Sequence, residues 1–187
     1  IKFAKRLVKI EDIFISTDSQ KVIDLASTMN IKNIIRRKKK LCQSNTKSST
    51  VVNDVLKNIK YKAEGVILLQ PTTPYRDLKL FKMVIEKFKS TKENFISIGQ
   101  NNNNKFFCSI KDNKVIFNKK DNIKKYALNG SLYLYNSKHL KKYKTFKITN
   151  MVRPVLMKKI YENFDIDTYA DWKKSIQYFK KNKLQKK

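Results

Sequence analysis

Short apolar runs alternate with amphipathic runs from residue 13 to residue 98 of the chain. The strand-like runs are residues 13–15, 34–35, 66–69 and 95–98, and the helix-like runs are residues 22–26, 51–59 and 80–88. Neighbouring parallel strands can be joined only by a crossover connection, which is usually a helix. The alternation therefore predicts an α/β fold, a three-layer sandwich in which a mostly parallel sheet carries helices on both faces.

The second half of the chain follows a different pattern. Residues 106–110, 115–117 and 132–135 are strand-like, with little helical periodicity between them, which favours a small antiparallel or mixed β part. Helical spacing of apolar residues returns from Tyr169 to Lys180. A chain of 187 residues has room for one ordinary core but not for two, so we expect a single domain over residues 1–187.

The formal net charge of +28 raises the question of a polyanionic partner. Only five of the 43 basic residues are arginine, whereas phosphate recognition favours the bidentate guanidinium group. The lysines are spread through every segment beside many Asn and Ile residues, as compositional drift at surface positions would leave them. We therefore expect no specific nucleic-acid partner, and a nucleic-acid-binding module is the least favoured alternative.

Several absences narrow the class of protein. Cys42 and Cys108 lie far apart with no CxxC spacing, and no secretory signal opens the chain, so a reducing, cytoplasmic compartment is expected. His139 is the single histidine, which excludes a multi-histidine metal site. No apolar run approaches the roughly 20 residues that cross a bilayer, so no membrane partner is expected. No glycine-rich phosphate loop is found either.

Polar segments follow two of the predicted strands. Residues 16–18 come after the first strand and residues 70–76 after the third, where an α/β sheet places its ligands. Gln70 can donate and accept hydrogen bonds, and Arg76 offers a fork for a carboxylate or phosphate. A rigid strand-to-helix loop capped by Asp77 explains the second segment equally well.

Two further short motifs have a functional and a structural interpretation. Asp165 and Asp167 project from one face of an extended chain and could share Mg²⁺, but two acids at a helix start are favoured on these residues alone. Asn129, Gly130 and Ser131 could approach a ligand closely, although a backbone turn with positive φ is favoured.

Taken together, four motifs resemble the acylneuraminate cytidylyltransferases, whose members include enzymes for sialic, pseudaminic and legionaminic acids. The motifs are Ile-Phe-Ile-Ser-Thr-Asp-Ser (13–19), Leu-Leu-Gln-Pro-Thr-Thr-Pro-Tyr-Arg (68–76), Asn-Gly-Ser-Leu-Tyr (129–133) and Asp-Ile-Asp-Thr (165–168) followed by Asp171-Trp172. Their order and spacing also match, and they span nearly the whole chain. The resemblance implies a Rossmann-like nucleotidyltransferase fold with a small mixed β part for dimerisation. It also implies that the protein is a homodimer.

The resemblance also implies an activity and its cofactor. Members of this family couple CMP from CTP to a nine-carbon sugar acid, release pyrophosphate, and require Mg²⁺. Asp165 and Asp167 would be catalytic by holding Mg²⁺, with Asp18 a further candidate ligand. These expectations place the chain in nucleotide-sugar biosynthesis, for example for a cell-surface polysaccharide.

The remaining implied roles concern the two substrates. The residues implied to bind the sugar acid are Gln70, Arg76, Asn129, Tyr133 and Lys119. The residues implied to bind the nucleotide are Arg37, Ser48 and Ser49. Arg37 stands where the family has an Arg-Pro pair, but Lys38 replaces the proline.

Three departures from the family pattern leave alternatives open. The family's N-terminal strand and its Gly-rich phosphate-binding loop have no counterpart in these 187 residues. Ala127 and Lys119 stand at positions where family members often carry arginine for the sugar carboxylate. The alternatives are a 3-deoxy-manno-octulosonate cytidylyltransferase and an inactive fragment or pseudoenzyme.

Overall fold

A computed structural model describes residues 1–59, 62–100, 107–117, 126–148 and 150–181. The strands are β1 (Phe14–Thr17), β2 (Asn33–Arg36), β3 (Gly65–Leu68), β4 (Asn94–Gln100), β5 (Phe107–Lys111), β6 (Lys114–Ile116), β7 (Tyr126–Asn136) and β8 (Val152–Leu156). The helices are α1 (Gln20–Thr28), α2 (Ser48–Asn58), α3 (Leu78–Thr91), α4 (Ser137–Tyr143) and α5 (Tyr169–Lys181). Within these ranges, no helix is long and apolar enough to span a bilayer.

The start and the buried face of helix α3 follow directly from its sequence. The Asp77 carboxylate caps its first turn by accepting a hydrogen bond from the Leu80 backbone N–H at 3.1 Å. Phe81, Val84 and Phe88 recur on one face and are buried, as helical periodicity predicts. The helix thereby covers the sheet and fixes the position of the loop that precedes it.

The strands form two sheets. Strands β1 and β2 pair in parallel, while β3 to β8 form a six-stranded sheet. Five of its strands follow the order β6-β5-β7-β4-β8, and β3 pairs with residues 133–136 of β7. Because β3, β4 and β5 all run antiparallel to β7, and β8 runs parallel to β4, four strands of this sheet point the same way. The α/β class with a parallel and mixed sheet is confirmed, with β6 and β7 as the reversed strands.

Apolar side chains fill both faces of the six-stranded sheet. On β7, Leu132 and Leu134 pack with the buried face of α3, while Tyr135 on the opposite face packs with residues of α2 and α4, among them Val52 and Leu140. Alternate residues of one strand thus reach opposite cores. This arrangement is the predicted three-layer sandwich.

Two elements were missed by the sequence patterns, and one was underestimated. Strand β8 contains Pro154, which argues against an internal strand, but β8 lies at the end of the sheet order, where proline is tolerated. Helix α4 is only seven residues long. Strand β7 is longer than the predicted 132–135 because it continues through the Asn129-Gly130 segment that favours a turn.

The ends of the sheet are joined by one charge cluster. The Glu93 carboxylate, just before β4, accepts hydrogen bonds from Arg153 Nε at 3.0 and 2.9 Å and from Lys114 Nζ at 2.6 Å. Arg153 and Lys114 belong to β8 and β6, so the cluster links three strands. The hydrogen bonds from Arg153, followed by that from Lys114, lower the pKa of Glu93 to about 2.

Replacing Glu93 with glutamine should reduce the acid sensitivity of the fold. The folded-state pKa of about 2 lies below the ordinary glutamate value, so the cluster stabilises the fold above about pH 4.5 and loses this effect as pH falls toward 2. At pH 7, Glu93→Gln should lower the free energy of unfolding by about 1–2 kcal/mol. Urea unfolding between pH 7 and pH 3 measures the difference.

The matched control is Glu86→Gln, which removes an exposed carboxylate paired with Lys89 on α3. That variant should change the free energy of unfolding by less than about 0.5 kcal/mol. Parallel pH curves for the parent protein and Glu93→Gln would contradict the assignment.

Candidate active site

The loop that follows β3 is fixed to β7 by the Arg76 guanidinium. Arg76 Nη2 donates hydrogen bonds to the Gln70 carbonyl oxygen at 2.6 Å and to Thr73 Oγ1 at 2.9 Å. Its Nε donates to the Ser131 carbonyl oxygen on β7 at 3.2 Å. Burial lowers the pKa of Arg76 to about 10, so the group stays charged at neutral pH. Arg76 is a brace between the loop and β7, and its contact with substrate stays a prediction.

The Gln70 side chain lies against Gly130 of β7. Gly130 has a φ of 73°, and a Cβ atom there would lie 2.7 Å from Gln70 Oε1. Thr73 Oγ1 donates to the Gly130 carbonyl oxygen at 3.3 Å. Gln70 Nε2 in turn donates to Ser48 Oγ, at the start of α2, at 3.5 Å. The structure therefore brings together Gln70, predicted to bind the sugar acid, and Ser48, predicted to bind the nucleotide.

Strand β7 bulges at this point. Between two regular pairs, the single β4 residue Ser97 faces four residues of β7, numbers 129–132. The Ser97 hydroxyl accepts a hydrogen bond from the Leu132 backbone N–H at 2.7 Å, which replaces part of the interrupted strand pairing. The Asn-Gly-Ser segment is therefore a bulge inside a strand. The expected positive φ is found at Gly130, but the segment interrupts the pairing of β7 instead of forming a turn before the strand.

The Asn129 carboxamide is used inside the protein, where the residue is 8% exposed. Its Oδ1 accepts a hydrogen bond from the Ser97 hydroxyl. Its Nδ2 donates to Asn163 Oδ1 at 2.9 Å and to the Glu162 carbonyl oxygen at 3.5 Å. Asn129 thus links the bulge to the segment carrying the two predicted metal ligands, and its contact with the sugar acid stays a prediction.

Asp165 and Asp167 lie in the segment between the 3₁₀ turn Ile160–Asn163 and α5. Both are exposed, whereas Ile166 between them is half-buried. This alternation is what an extended chain produces when its first and third side chains lie on the same side. The Ile166 N–H donates to the Thr72 carbonyl oxygen at 2.7 Å. The acidic segment is therefore attached directly to the loop that follows β3.

Tyr133 of β7 faces this acidic segment. Burial, followed by the negative charge of Asp165, raises the pKa of Tyr133 to about 12. The phenol hydroxyl therefore keeps its proton at neutral pH and can donate a hydrogen bond beside Asp165. This position fits the predicted role of Tyr133 in lining a substrate pocket.

The donor set at Asp165 and Asp167 suits Mg²⁺. This ion typically takes one or two protein carboxylates and fills its octahedral shell with phosphate oxygen atoms and water. Among the described residues, no group of three or more His, Cys, Asp or Glu side chains is arranged to hold a metal. Asp18 therefore does not complete a three-acid site with this pair, and the remaining ligands would come from substrate and water.

Two other predicted residues, Asp18 and Arg37, line a cleft of about 440 Å³ at the carboxyl ends of β1 and β2. The lining residues are Asp18, Arg36, Arg37, Lys39, Cys42 and Gln43. Arg37 is held in place because its Nη2 donates to the Ser16 carbonyl oxygen at 2.6 Å. Three cations against one carboxylate make the cleft suitable for an anionic ligand such as a phosphate chain.

The other predicted residues are less informative. Ser49 is 3% exposed inside the first turn of α2, whereas Ser48 is half-buried and contacts Gln70, so Ser48 is better placed to reach a ligand. Lys119 lies outside the described residues.

Sequence reasoning missed the residues that hold the acidic segment in place. Asn163 bonds to Asn129, and Lys159 forms an ion pair with Asp77 at the start of α3. The sequence feature that could have pointed to Asn163 is its position two residues before Asp165. An isolated asparagine in a loop has no pattern from which its partner on a distant strand could be inferred.

Comparison with known proteins places these features in a family. Residues 2–187 match the family model described as Cytidylyltransferase. The chain is 27% identical over 179 residues to CMP-N,N'-diacetyllegionaminic acid synthase of Legionella pneumophila, which covers 87% of this chain and 75% of that protein.

Solved structures support the fold. The chain resembles a CMP:2-keto-3-deoxy-manno-octonic acid synthetase complexed with CTP, with a TM-score of 0.65 and 12% identity over 98% of this chain and 88% of that one. It also resembles 4-diphosphocytidyl-2C-methyl-D-erythritol synthase from Anaerococcus prevotii (TM-score 0.62, 18% identity, 96% and 83% covered). A third is HddC from Yersinia pseudotuberculosis (TM-score 0.63, 16% identity, 95% and 82% covered).

Replacing Gly130 with alanine should disturb the site through both backbone strain and a clash. The added Cβ would meet Gln70 Oε1 at 2.7 Å on a backbone with positive φ. We expect the free energy of unfolding to fall by about 2–3 kcal/mol. Urea denaturation measures this loss.

The control is Asn113→Ala, at a position with a φ of 55° in the turn between β5 and β6. It introduces an alanine on a left-handed backbone away from Gln70 and should cost about 1 kcal/mol. Equal losses in the two variants would show that the contact with Gln70 has no effect on stability.

Proposed function

The chain belongs to the cytidylyltransferase family, and we propose that it transfers CMP from CTP to a nonulosonic acid with release of pyrophosphate. The observation that carries this proposal is the attachment of the acidic segment to the loop after β3, through Ile166 N–H and the Thr72 carbonyl oxygen at 2.7 Å. It joins the two predicted metal ligands to the predicted sugar site. The name of the Legionella relative supports a legionaminic-type acid as the first substrate to test.

In this reaction the anomeric hydroxyl oxygen of the sugar acid attacks the α-phosphorus of CTP. A bond forms between that oxygen and phosphorus, while the bond from phosphorus to the oxygen bridging the α- and β-phosphates breaks. Pyrophosphate leaves with the electrons of the broken bond, and the hydroxyl proton passes to solvent. The protein must hold the reactants in line and offset the charge on the phosphates.

Asp165 and Asp167 would hold Mg²⁺, as the chemistry of their shared exposed face allows. When bound, the ion would offset triphosphate charge and lower the pKa of the sugar hydroxyl, which removes the need for a strong protein base. Tyr133, kept protonated beside Asp165, would donate a hydrogen bond to a substrate oxygen atom. Arg76 would hold the loop that shapes the sugar site.

Gln70 and Ser48 would stand between the sugar and the nucleotide. The Gln70 amide offers a donor and an acceptor, and it already touches both the β7 bulge and the start of α2. The cationic cleft at Arg37 would take the charged part of CTP. Asp18 in that cleft would then contact the nucleotide, in place of the metal role implied by the resemblance.

Two variants at the acidic segment test the reaction. Asp165→Asn and Asp167→Asn should each lower kcat/KM for CMP-sugar formation by about 100-fold or more, because each removes one carboxylate ligand of the metal. The assay follows pyrophosphate release and CMP-sugar from CTP and Mg²⁺ with legionaminic, pseudaminic, N-acetylneuraminic or eight-carbon 3-deoxy-manno-octulosonic acid.

The control Asp24→Asn removes an exposed acid of α1 that contacts Gln20, and should leave the rate unchanged. Turnover of the eight-carbon acid alone would assign the chain to the alternative sugar class. No CMP-sugar from any of the four acids would support the inactive-fragment alternative and end the proposal for this chain.

Cys42 provides a native probe of the proposed nucleotide cleft. It lines the cleft, whereas Cys108 is 2% exposed and burial raises its pKa to about 11. Burial and the neighbouring Asp18 raise the pKa of Cys42, so its thiol reacts slowly at neutral pH and labelling rates are compared at one fixed pH. Saturating CTP should slow maleimide labelling of Cys42 at least about fivefold.

Cys42→Ser identifies any labelling at other sites, and GTP at the same concentration reports on base selectivity. If labelling of Cys42 is unaffected by CTP under conditions of full turnover, CTP binds away from this cleft.

A further inference from the structure

We propose that Asn163 is a positioning residue that orients Asp165 and Asp167 for metal binding. The inference rests on the proposed role of these two carboxylates as metal ligands. Asn163 closes the 3₁₀ turn directly before the acidic segment, and its side chain points back into the protein. It does not need to touch metal or substrate to act in this way.

The Asn163 carboxamide bonds to one side chain and two backbone carbonyl groups. Its Oδ1 accepts a hydrogen bond from Asn129 Nδ2 at 2.9 Å, which ties it to the β7 bulge. Its Nδ2 donates to the Met157 carbonyl oxygen at 3.2 Å, just after β8, and to the Lys159 carbonyl oxygen at 3.0 Å. One planar group thereby fixes the end of β8, the turn and β7 relative to one another.

A glycine on β4 makes room for this carboxamide. A Cβ atom at Gly99 would lie 1.8 Å from Asn163 Oδ1, which is far inside van der Waals contact. The position of Asn163 therefore depends on the absence of a side chain at residue 99, independently of its hydrogen bonds. This second observation offers a way to displace Asn163 without changing its chemistry.

The acidic segment is held on both sides of Asp165. Asn163 anchors the chain before it, and Ile166 N–H is bonded to the Thr72 carbonyl oxygen after it. At the far end, Thr168 Oγ1 donates to the Asp171 carboxylate at 2.7 Å. With the Asn163 anchor lost, the chain ahead of Asp165 gains rotational freedom, and two ligands must be ordered at the moment of binding.

The test measures metal binding apart from turnover. Titration of Mn²⁺ into the protein with CTP, followed by electron paramagnetic resonance of free Mn²⁺ and compared with the same titration of CTP alone, gives the apparent Kd of the protein site in the absence of a sugar acid. Asn163→Ala, its milder counterpart Asn163→Ser, and Gly99→Ala should each weaken binding by about 10-fold or more, the range found for residues that orient metal ligands. The double variant Asp165→Asn, Asp167→Asn should show no saturable binding beyond that of CTP alone.

Val115→Ala is the control for loss of stability, since Val115 is buried on β6 away from the acidic segment. It should lower the melting temperature without changing the Kd for Mn²⁺. In turnover assays, Asn163→Ala should raise the Mg²⁺ concentration for half-maximal rate by a similar factor, while kcat at saturating Mg²⁺ stays within about threefold of the parent.

The outcomes separate this inference from the proposed reaction. An unchanged Mn²⁺ Kd in folded Asn163→Ser and Gly99→Ala overturns the positioning role even where CMP-sugar forms. Weakened Mn²⁺ binding without CMP-sugar from any acid supports the positioning role and removes the proposed reaction. Weakening in Val115→Ala equal to that in Asn163→Ala assigns the effect to general stability and overturns the inference.

Discussion

The hydroxyl of Ser97 holds the irregularity in β7 on which the candidate site depends. One residue of β4 faces four of β7 there, and the Ser97 hydroxyl bonds both the Leu132 backbone and the Asn129 side chain. The bulge turns Gly130 toward Gln70 and Asn129 toward the acidic segment. An uninterrupted β7 would keep its pairing with β4 and lose both attachments, because strand register decides which side chains face each side.

The supports of the site are therefore main-chain contacts, amide and hydroxyl side chains and the single guanidinium of Arg76, although the protein carries a net charge of +28. The amide side chains of Gln70, Asn129 and Asn163 form hydrogen bonds within the protein. The half-buried guanidinium of Arg76 donates its hydrogen bonds to protein oxygen atoms and lies over the Phe3 ring. Most lysines contribute to the surface potential instead. The cations at the cleft beside β1 and β2 stand out because they converge on one cavity.

Sequence patterns identified the candidate ligand residues of the site more readily than the residues that support them. The alternating runs gave the strands and helices up to β4, and the Asp165, Asp167 and Gln70 motifs were recognisable as strings. The roles of Arg76 and Asn129 were harder to predict, because the same type of residue can either bind a substrate or brace a loop. Asn163 and Gly99 belong to no periodic sequence pattern. They come close together only when β4 packs beside the 3₁₀ turn that follows β8.

The sequence by itself determined the strands and helices up to β4 and the family, because periodicity and linear motifs are local properties of the chain. It set the apolar faces of α3 and β7 and the pair of carboxylates at 165 and 167. Only the tertiary structure decided that the Asn-Gly-Ser segment is a bulge, that Arg76 and Asn129 face inward, and that Ile166 is bonded to Thr72. Those outcomes depend on hydrogen bonds between residues far apart in sequence, and such pairings form only when the sheet assembles.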